Sequence, residues 1–567
     1  MAEANDNEMG PPSSHCELAL NGYVIALAIV AAYAAIILLG RGRRLWKRLG
    51  LSTYGPILLW RTQRGRRTIA RAAARGRFWT RCGTLASVVC LVAMVAMTTF
   101  LVWESYVVLF GAQSPDATEI TLGPLGIDTI VLGVYLVVGL VVAVFVHEFL
   151  HGIMAVAQRI RLDSLGLLFL VIPLGAFVEP NDEDLEKARR TSRMRLYAAG
   201  PAANLFVALV CFVVLVGFLG PTIQPQHEGA LVTEVGSDSP AEIQGLSIWS
   251  EVTDVQGVPI DGASKLRNFQ FDTPGEWVQV TFIHAGEERV VRLPEGVVVT
   301  AVPEGPAYNA GIEPGRIIYS LDNIIIHGVE QFRSVTENSS MTEPVNITVL
   351  KYSYDSDQGR DWWVEDPAIR EVNMTSKWVY YYKYYPRANR EQYRNVSFLG
   401  VSTAAFGIHV EDMDYLPRLI AHPFPAEKGD QGVVRTILRF VALPSLGYSP
   451  VVSPATDLYQ SSGVLTGTPH DLYWVLVNLF YWLFWTNLLL GVANALPALP
   501  FDGGYVLRDL LKEIANRRGD RLTGFDRTIG RKPMTDWQVD YVMWVVTAFV
   551  YLLLVVLVTW QVIGPII

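Results

Sequence analysis

Nine of the 567 residues are histidines, and two of them stand in the run His147-Glu148-Phe149-Leu150-His151-Gly152. Histidines at i and i+4 of a helix share one face a turn apart, so both imidazoles can reach a single zinc ion, and the intervening Glu148 can act on a water beside it. The run closes an apolar segment, Thr129 to Val146, where ionisable groups are costly unless partnered and mark functional sites. A catalytic zinc usually takes three protein ligands and a water. A third candidate ends another charge-free apolar run, in Asn494-Ala-Leu-Pro497-Ala-Leu-Pro500-Phe-Asp502-Gly503-Gly504. Two neutral imidazoles and one carboxylate leave a zinc site with one net positive charge, which a hydroxide neutralises, and this lowers the cost of burying it. The other use of Asp502 is as a cap ahead of Gly-Gly.

These residues must be positioned by membrane spans. The chain is 51% hydrophobic and only 18% charged, with a mean hydropathy of +0.28, against about 25% charge in ordinary soluble chains. A disordered chain is excluded for the same reason. Six runs are long and apolar enough to span a bilayer: Leu18 to Leu39, Cys82 to Phe110, Thr129 to Val146, Leu196 to Leu219, Leu472 to Leu496 and Tyr541 to Ile563. Val433 to Tyr448 is shorter, contains Arg435 and Arg439, and reads as interfacial or re-entrant, with seven spans as the rival count. Residues 1 to 17 hold acids and no Lys or Arg, so no cleavable signal is expected and the first span is an anchor.

Charge orients the spans. Arg41 to Arg81 carries 13 Lys plus Arg and no acid, which places it in the cytoplasm and the N-terminus outside. Alternation then puts Arg159 to Arg195 and Arg508 to Lys532 inside, and residues 221 to 430 and the C-terminus outside. His147, His151 and Asp502 thereby fall at the same, inner, depth. All four Asn-x-Ser/Thr sequons, at Asn338, Asn346, Asn373 and Asn395, lie in the outer segment. That segment holds 30 acids and 16 bases, so it carries −14 of the net −8 and leaves +6 for the rest. The basic loops are explained by topology and anionic lipid, and nucleic acid is not expected as a partner. Four cysteines, Cys16, Cys82, Cys90 and Cys211, lie in or beside spans, and no disulfide framework is expected.

The outer segment repeats. Gly229 to Leu246 and Gly296 to Ile312 share one pattern, and Pro240/Pro306, Gly245/Gly311 and Gly262/Gly328 are each offset by 66 residues. This spacing means two copies of a small domain, each running strand, Pro-Ala turn, short helix ending at Gly, then strand. The copies resemble PDZ domains in the order found in bacterial-type proteases, the second more closely; the first has Ile248-Trp249-Ser250-Glu251 where Gly-Asp is usual. PDZ domains bind extended peptides or C-termini by strand addition; a structural or size-filtering role is the alternative. The run Trp378 to Tyr385 reads as an interfacial aromatic belt or an ordinary strand.

The motifs HEFLHG, NALPALPFDGG and Ala199-Gly200-Pro201-Ala202-Ala203-Asn204 together resemble the site-2 protease family of intramembrane zinc metalloproteases, over about residues 129 to 220 and 470 to 563. The resemblance implies one Zn2+ per chain held by His147, His151 and Asp502, with Glu148 as general base, and regulated cleavage of single-span membrane proteins within or near their span, close to the cytoplasmic side. It implies that Asn494, and with less support Asn204, contacts substrate or the developing oxyanion, and that Gly152, Gly200, Pro201, Pro497, Pro500, Gly503 and Gly504 shape the motifs. Leu165 to Val178 corresponds to the family's membrane-dipping hairpin.

The expected fold is therefore a polytopic α-helical membrane protein of about six spans with an inserted extracytoplasmic α+β region containing two PDZ-like domains. The expected divisions are 1–17 outer tail, 18–128 two spans with the Arg-rich loop, 129–220 first core part, 225–295 and 296–400 PDZ-like copies, 401–470 linker, and 471–567 second core part. Arg outnumbers Lys, 37 to 9, and with the sequons this suits an archaeal cell membrane or a eukaryotic lumen, the former preferred. Three rivals remain. A prenyl-protein-type protease would use a later Glu as third ligand; a silent PDZ-bearing scaffold needs none of the four site residues; a metal transporter would need more histidines in the spans.

Overall fold

The computed structural model describes residues 31–38, 46, 50–54, 57–63, 65–110, 127–170, 172–355, 360–364, 367–384, 391–421, 454–521 and 535–563. Its main helices, in chain order, are α1 (Gly76–Phe110), α2 (Ile127–Ala157), α3 (Arg190–Val214), the short α4 (Ala263–Arg267) and α5 (Val329–Glu337), then α6 (His470–Asn494), α7 (Asp502–Arg521) and α8 (Asp536–Ile563). Five helices among the described residues are long and apolar enough to cross a membrane: α1, α2, α3 with its continuation to Thr222, α6 and α8. Their outer faces carry exposed Leu85, Val92, Phe206, Val213, Trp544 and Leu552, a surface that suits lipid and not water. Of the first expected span, 31–38 is helical; the rest, like 433–448, lies outside the described residues.

The chain divides into two compact units. The first contains Met1–Ser105, Gly133–Cys211 and Trp482–Thr559. Here α1, which the family resemblance leaves outside the shared core, packs into it: a β-carbon on Gly83 would lie 2.9 Å from Met154 and Arg195 side chains, and Cys90 is buried with Ala198, Ala495 and Val506. Small residues let membrane helices approach closely where no hydrophobic force drives them together. The Leu165 to Val178 hairpin forms β3 (Leu162–Leu170) and β4 (Ile172–Pro180), and the Arg-rich loop supplies β1 (Leu51–Tyr54) and β2 (Ile57–Thr62), giving one antiparallel sheet in the order β1-β2-β3-β4. Trp60 opposes Leu167 and Arg61 opposes Gly166. Gly166 is required by this pairing, because a β-carbon there would sit 2.3 Å from the Phe177 ring and 2.5 Å from Trp60 O.

The second unit contains Tyr106–Leu132, Phe212–Tyr481 and Trp560–Ile567. The strands of its two main sheets, besides short hairpin partners, are β5 (Ala230–Val235), β6 (Glu251–Val255), β7 (Trp277–His284), β8 (Glu287–Pro294), β9 (Val297–Ala301), β10 (Ile317–Leu321), β11 (Val345–Leu350), β12 (Ala368–Val372), β13 (Ser402–Ala405) and β14 (Ile408–Asp412). The two copies give two sheets of the same order, β8-β7-β6-β5-β14 and β12-β11-β10-β9-β13, so the 66-residue period is a repeat of topology. Each sheet takes its end strand from residues 402–412, a stretch the sequence places in a linker. One hydrophobic core runs through both sheets, from Val232 and Phe282 to Val299 and Ile347, with Phe406 from between β13 and β14 at 1% exposure. Residues Lys377–Tyr384, expected as a strand or belt, form a helix on which Trp378 stacks with Tyr382 and Arg394 covers Trp378. All four sequon asparagines are exposed.

Candidate metal centre

Three helices of the first unit bring the site together. On α2, His147 and His151 project one turn apart, as their spacing dictates. Asp502 opens α7, directly after the Pro-rich turn that ends α6. Asp502 Oδ2 lies 3.0 Å from His147 Nε2 and 3.2 Å from His151 Nε2, and the two Nε2 atoms are 3.1 Å apart. The side chains of His147, His151 and Asp502 are 8, 11 and 17% exposed. The Nδ1–H of His151 donates to Leu196 O at 2.8 Å, which fixes the tautomer and leaves Nε2 as a lone pair aimed at the other two donor atoms. Converging lone pairs repel unless a cation or proton lies among them. The edges of this triangle are close to the roughly 3.3 Å that zinc bonds of about 2.0–2.1 Å impose in a tetrahedral set, so the donor set fits a metal ion.

The motif glycines explain how the backbone comes so close. A β-carbon on Gly200 of α3 would lie 2.3 Å from His151 Nε2 and 2.6 Å from His147 Nε2, so α3 forms a wall of the site that only glycine permits. On Gly503 it would lie 2.1 Å from Ala495 O, and on Gly504 2.7 Å from Ala498 O; the first turn of α7 lies against the Pro-rich turn. That turn holds Pro497 and the cis bond before Pro500. It is held by α8, whose Thr547 Oγ1 accepts from Leu499 N (3.2 Å) and whose Tyr551 hydroxyl donates to Leu499 O (3.2 Å). Gly152 faces Ile69 Cδ1 at 3.0 Å and Gly175 of β4 faces Val144 of α2 at 2.9 Å, again measured from a would-be β-carbon. The sheet edge β4 is thereby laid along α2, and Val178 N–H donates to Glu148 Oε2 at 3.0 Å.

Asn204 lies one turn beyond Gly200 on α3, past Pro201. It is 0% exposed, and neither Oδ1 nor Nδ2 has a partner among the described residues. A buried amide without a partner costs about 1–3 kcal/mol. Asn494 is turned the other way: its Nδ2 donates to Leu490 O, one turn back on its own helix, at 3.0 Å, and it does not join the donor cluster.

Sequence reasoning did not find the network that fixes α7. Arg193 of α3 forms a two-pronged pair with Asp509 at 2.9 and 2.7 Å, with Asp509 0% exposed. Arg190 donates to Lys512 O (2.8 Å) and Lys512 pairs with Asp540 of α8 (2.8 Å). The available signal was Asp509 itself, seven residues and so two turns after Asp502 on one face.

These features describe an integral membrane protein with three converging side chains, His147, His151 and Asp502, that fit a metal ion, flanked by Glu148. The model of peptidase family M50 matches residues 135–523, and the chain belongs to that family, the site-2 protease family of membrane zinc metalloproteases. The uncharacterized protein MJ0971 of Methanocaldococcus jannaschii is 31% identical over 169 residues, 30% of this chain and 45% of its own. Atu1380 of Agrobacterium fabrum, named as a zinc metalloprotease, is 30% identical over 132 residues, 23% of this chain and 32% of its own. A protein of Chlamydia trachomatis named as a DegP-like periplasmic serine endoprotease is 27% identical over 174 residues, 22% of this chain and 35% of its own. The chain spans less than half the length of each of these relatives.

Proposed function

We propose that this protein is a zinc endopeptidase that hydrolyses a peptide bond within or near the span of a single-span membrane protein, at a site near the cytoplasmic face. The observation that carries the reading is the convergence of His147, His151 and Asp502 within 3.2 Å beside Glu148, where α2, a helix fit to cross a bilayer, meets the first turn of α7. His147, His151 and Asp502 hold the zinc. When bound, it supplies Lewis-acid polarisation of the scissile carbonyl and acidifies a water. Glu148, anchored through Oε2 to Val178 N–H, takes the proton of the attacking water and returns it to the leaving amide nitrogen. Asn204, with its amide unpartnered, hydrogen-bonds the substrate backbone, whereas Asn494 must first leave Leu490 O to do so. A helical substrate shields its own peptide bonds, so local unwinding precedes cleavage and helix breakers raise the rate.

The inner location rests on the positive loops Arg41 to Arg81 and Arg508 to Lys532, and the exposure of all four sequons suits an outer placement of the second unit, with both termini outside, in an archaeal cell membrane. The test is reconstitution with single-span substrates, measuring bound zinc and cleavage for the wild type, Glu148→Ala and Asp502→Asn. Glu148→Ala should keep zinc and lose cleavage, and Asp502→Asn should lose both; wild-type cleavage by Glu148→Ala would overturn the mechanism.

A further inference from the structure

We propose that the second unit holds one working peptide groove, not two: the second copy binds the free C-terminus of a peptide ending in an apolar residue, and the first copy is sealed by its own side chains. The proposal rests on the PDZ-like reading of the repeats and is independent of the protease reading.

In the second copy a cavity of about 210 Å³ lies between α5 and the segment leading into β13. Val329, Phe332, Phe398 and Val401 give it apolar walls, and Arg333 and Lys377 stand on it, both paired to its one acid, Glu337, at 3.5 and 2.8 Å, which leaves one net positive charge there. β13 is the last strand of its sheet, paired on one side with β9, so its other edge faces α5 and can take an added strand. At one end of the cavity the chain turns through Gly400, at φ +80°, a left-handed conformation that favours glycine. Leu399 O accepts from Ala307 N at 2.9 Å. A trans peptide aims its N–H opposite to its C=O, so the Gly400 N–H points away from Ala307. Neither it nor the Val401 N–H has an acceptor among the described residues. Two open N–H donors and two cations against one acid suit a carboxylate, and the apolar walls suit its side chain.

The 66-residue offset pairs α4 with α5, Leu266 with Phe332 and Arg267 with Arg333. In the first copy Arg267 does what an incoming strand would do. Its Nε donates to Val410 O of β14 at 3.0 Å, its Nη2 donates to the same oxygen, and Nη2 pairs with Glu411 at 3.0 Å. Ala263 N–H, at the start of α4, donates to Asp412 Oδ1 at 2.9 Å. The turn that would correspond to Gly400 holds Phe406 and Gly407, both buried; Phe406 packs edge-on against Phe271 at 5.2 Å, and a β-carbon on Gly407 would lie 2.8 Å from Ser239. In the second copy Arg333 turns instead to Glu337, at 3.5 Å, and leaves the β13 edge open.

The experiment uses the full chain in lipid nanodiscs. The probes are a pool of fluorescein-labelled decapeptides, randomised over apolar residues at the last four positions with a free C-terminal carboxylate, and the same pool amidated. Fluorescence anisotropy should show one saturable site per chain for the free-acid pool, weakened by about tenfold or more by amidation and by Arg333→Glu. Arg267→Ala should leave that affinity no weaker, and the melting temperature should show that both variants fold. Equal binding of the amidated pool, no saturable binding, or loss on Arg267→Ala with Arg333→Glu unaffected would each overturn the proposal. Loss of cleavage in Glu148→Ala with peptide binding intact separates this groove from the protease site.

Discussion

Replacing Gly200 with alanine tests the metal centre through a residue that is neither a ligand nor a base. The new β-carbon would stand 2.3 Å from His151 Nε2 and 2.6 Å from His147 Nε2. Ordinary contact starts near 3.4 Å, so the His151 ring must retreat by about 1 Å. Zinc–ligand distances tolerate only about 0.2 Å, and His151 is additionally held at Nδ1 by Leu196 O, so its bond to the ion is lost. Disturbing groups behind a ligand already costs roughly 10–100-fold in affinity, and displacing the ligand itself should reach the upper end, about 100-fold or 2.7 kcal/mol. Helix propensity pushes the other way, since alanine in a helix interior is favoured over glycine by about 0.8–1 kcal/mol. The two effects separate experimentally. Zinc content by mass spectrometry under chelator competition, and the rise in melting temperature on adding zinc, should both collapse in Gly200→Ala. Gly217→Ala is the control, because a β-carbon there meets nothing within 4 Å. If Gly200→Ala binds zinc as tightly as the wild type, the assignment of these three side chains to a metal is wrong.

Arg193→Met leaves the carboxylate of Asp509 buried and unpaired, and thermal unfolding should show a loss of about 3–5 kcal/mol, largely recovered in Arg193→Met/Asp509→Leu. Gly503→Ala drives a β-carbon to 2.1 Å from Ala495 O and should displace Asp502, so bound zinc and cleavage fall together; retention of both would refute the packing argument. In the second unit, burial pushes the Glu251 carboxyl above its usual 4.5, opposed by His227 and the Gly229 N–H. A carboxyl raised by folding favours the folded state when protonated, so its contribution is present below pH 4.5 and is lost as the pH rises through the raised value. Thermal unfolding followed across that range should show the loss in the wild type and its absence in Glu251→Gln.

What the sequence made legible was local. HExxH needs only helical periodicity to put His147 and His151 on one face, and Asp502-Gly503-Gly504 follows a span whose apolar run is plain. The period of 66 residues exposed the repeat, because each copy carries its own Pro-Ala turn and Gly-ended helix. The rest depended on pairings the chain makes at long range. β13 and β14 come after both copies and complete a sheet in each, so nothing in the period points to residues 402–412. β1 and β2 lie among arginines that read as a cytoplasmic loop, although Leu51–Tyr54 and Ile57–Thr62 flank Gly55-Pro56, a turn signal between two short runs rich in apolar residues. The family resemblance implies that Asn494 contacts substrate or the developing oxyanion, but its rotamer, with Nδ2 bonded to Leu490 O, was not legible in the motif.

The common thread in the first unit is steric. Inside a bilayer, burial of apolar surface does not drive helices together, so close contact must come from shape. At Gly139 a β-carbon would meet Thr486 Oγ1 at 2.8 Å, at Gly491 Leu205 at 3.0 Å, and at Gly200 the ligand nitrogen itself. These positions join α2 to α6, α6 to α3, and α3 back to α2, closing a ring of contacts around His147 and His151. Asp502 enters that ring through Gly503 and the turn clamped by Thr547 and Tyr551. The donor atoms of His147, His151 and Asp502 are therefore set by glycines on α3, α6 and α7, and a larger side chain at any of these glycines should disturb the donor cluster without replacing a donor.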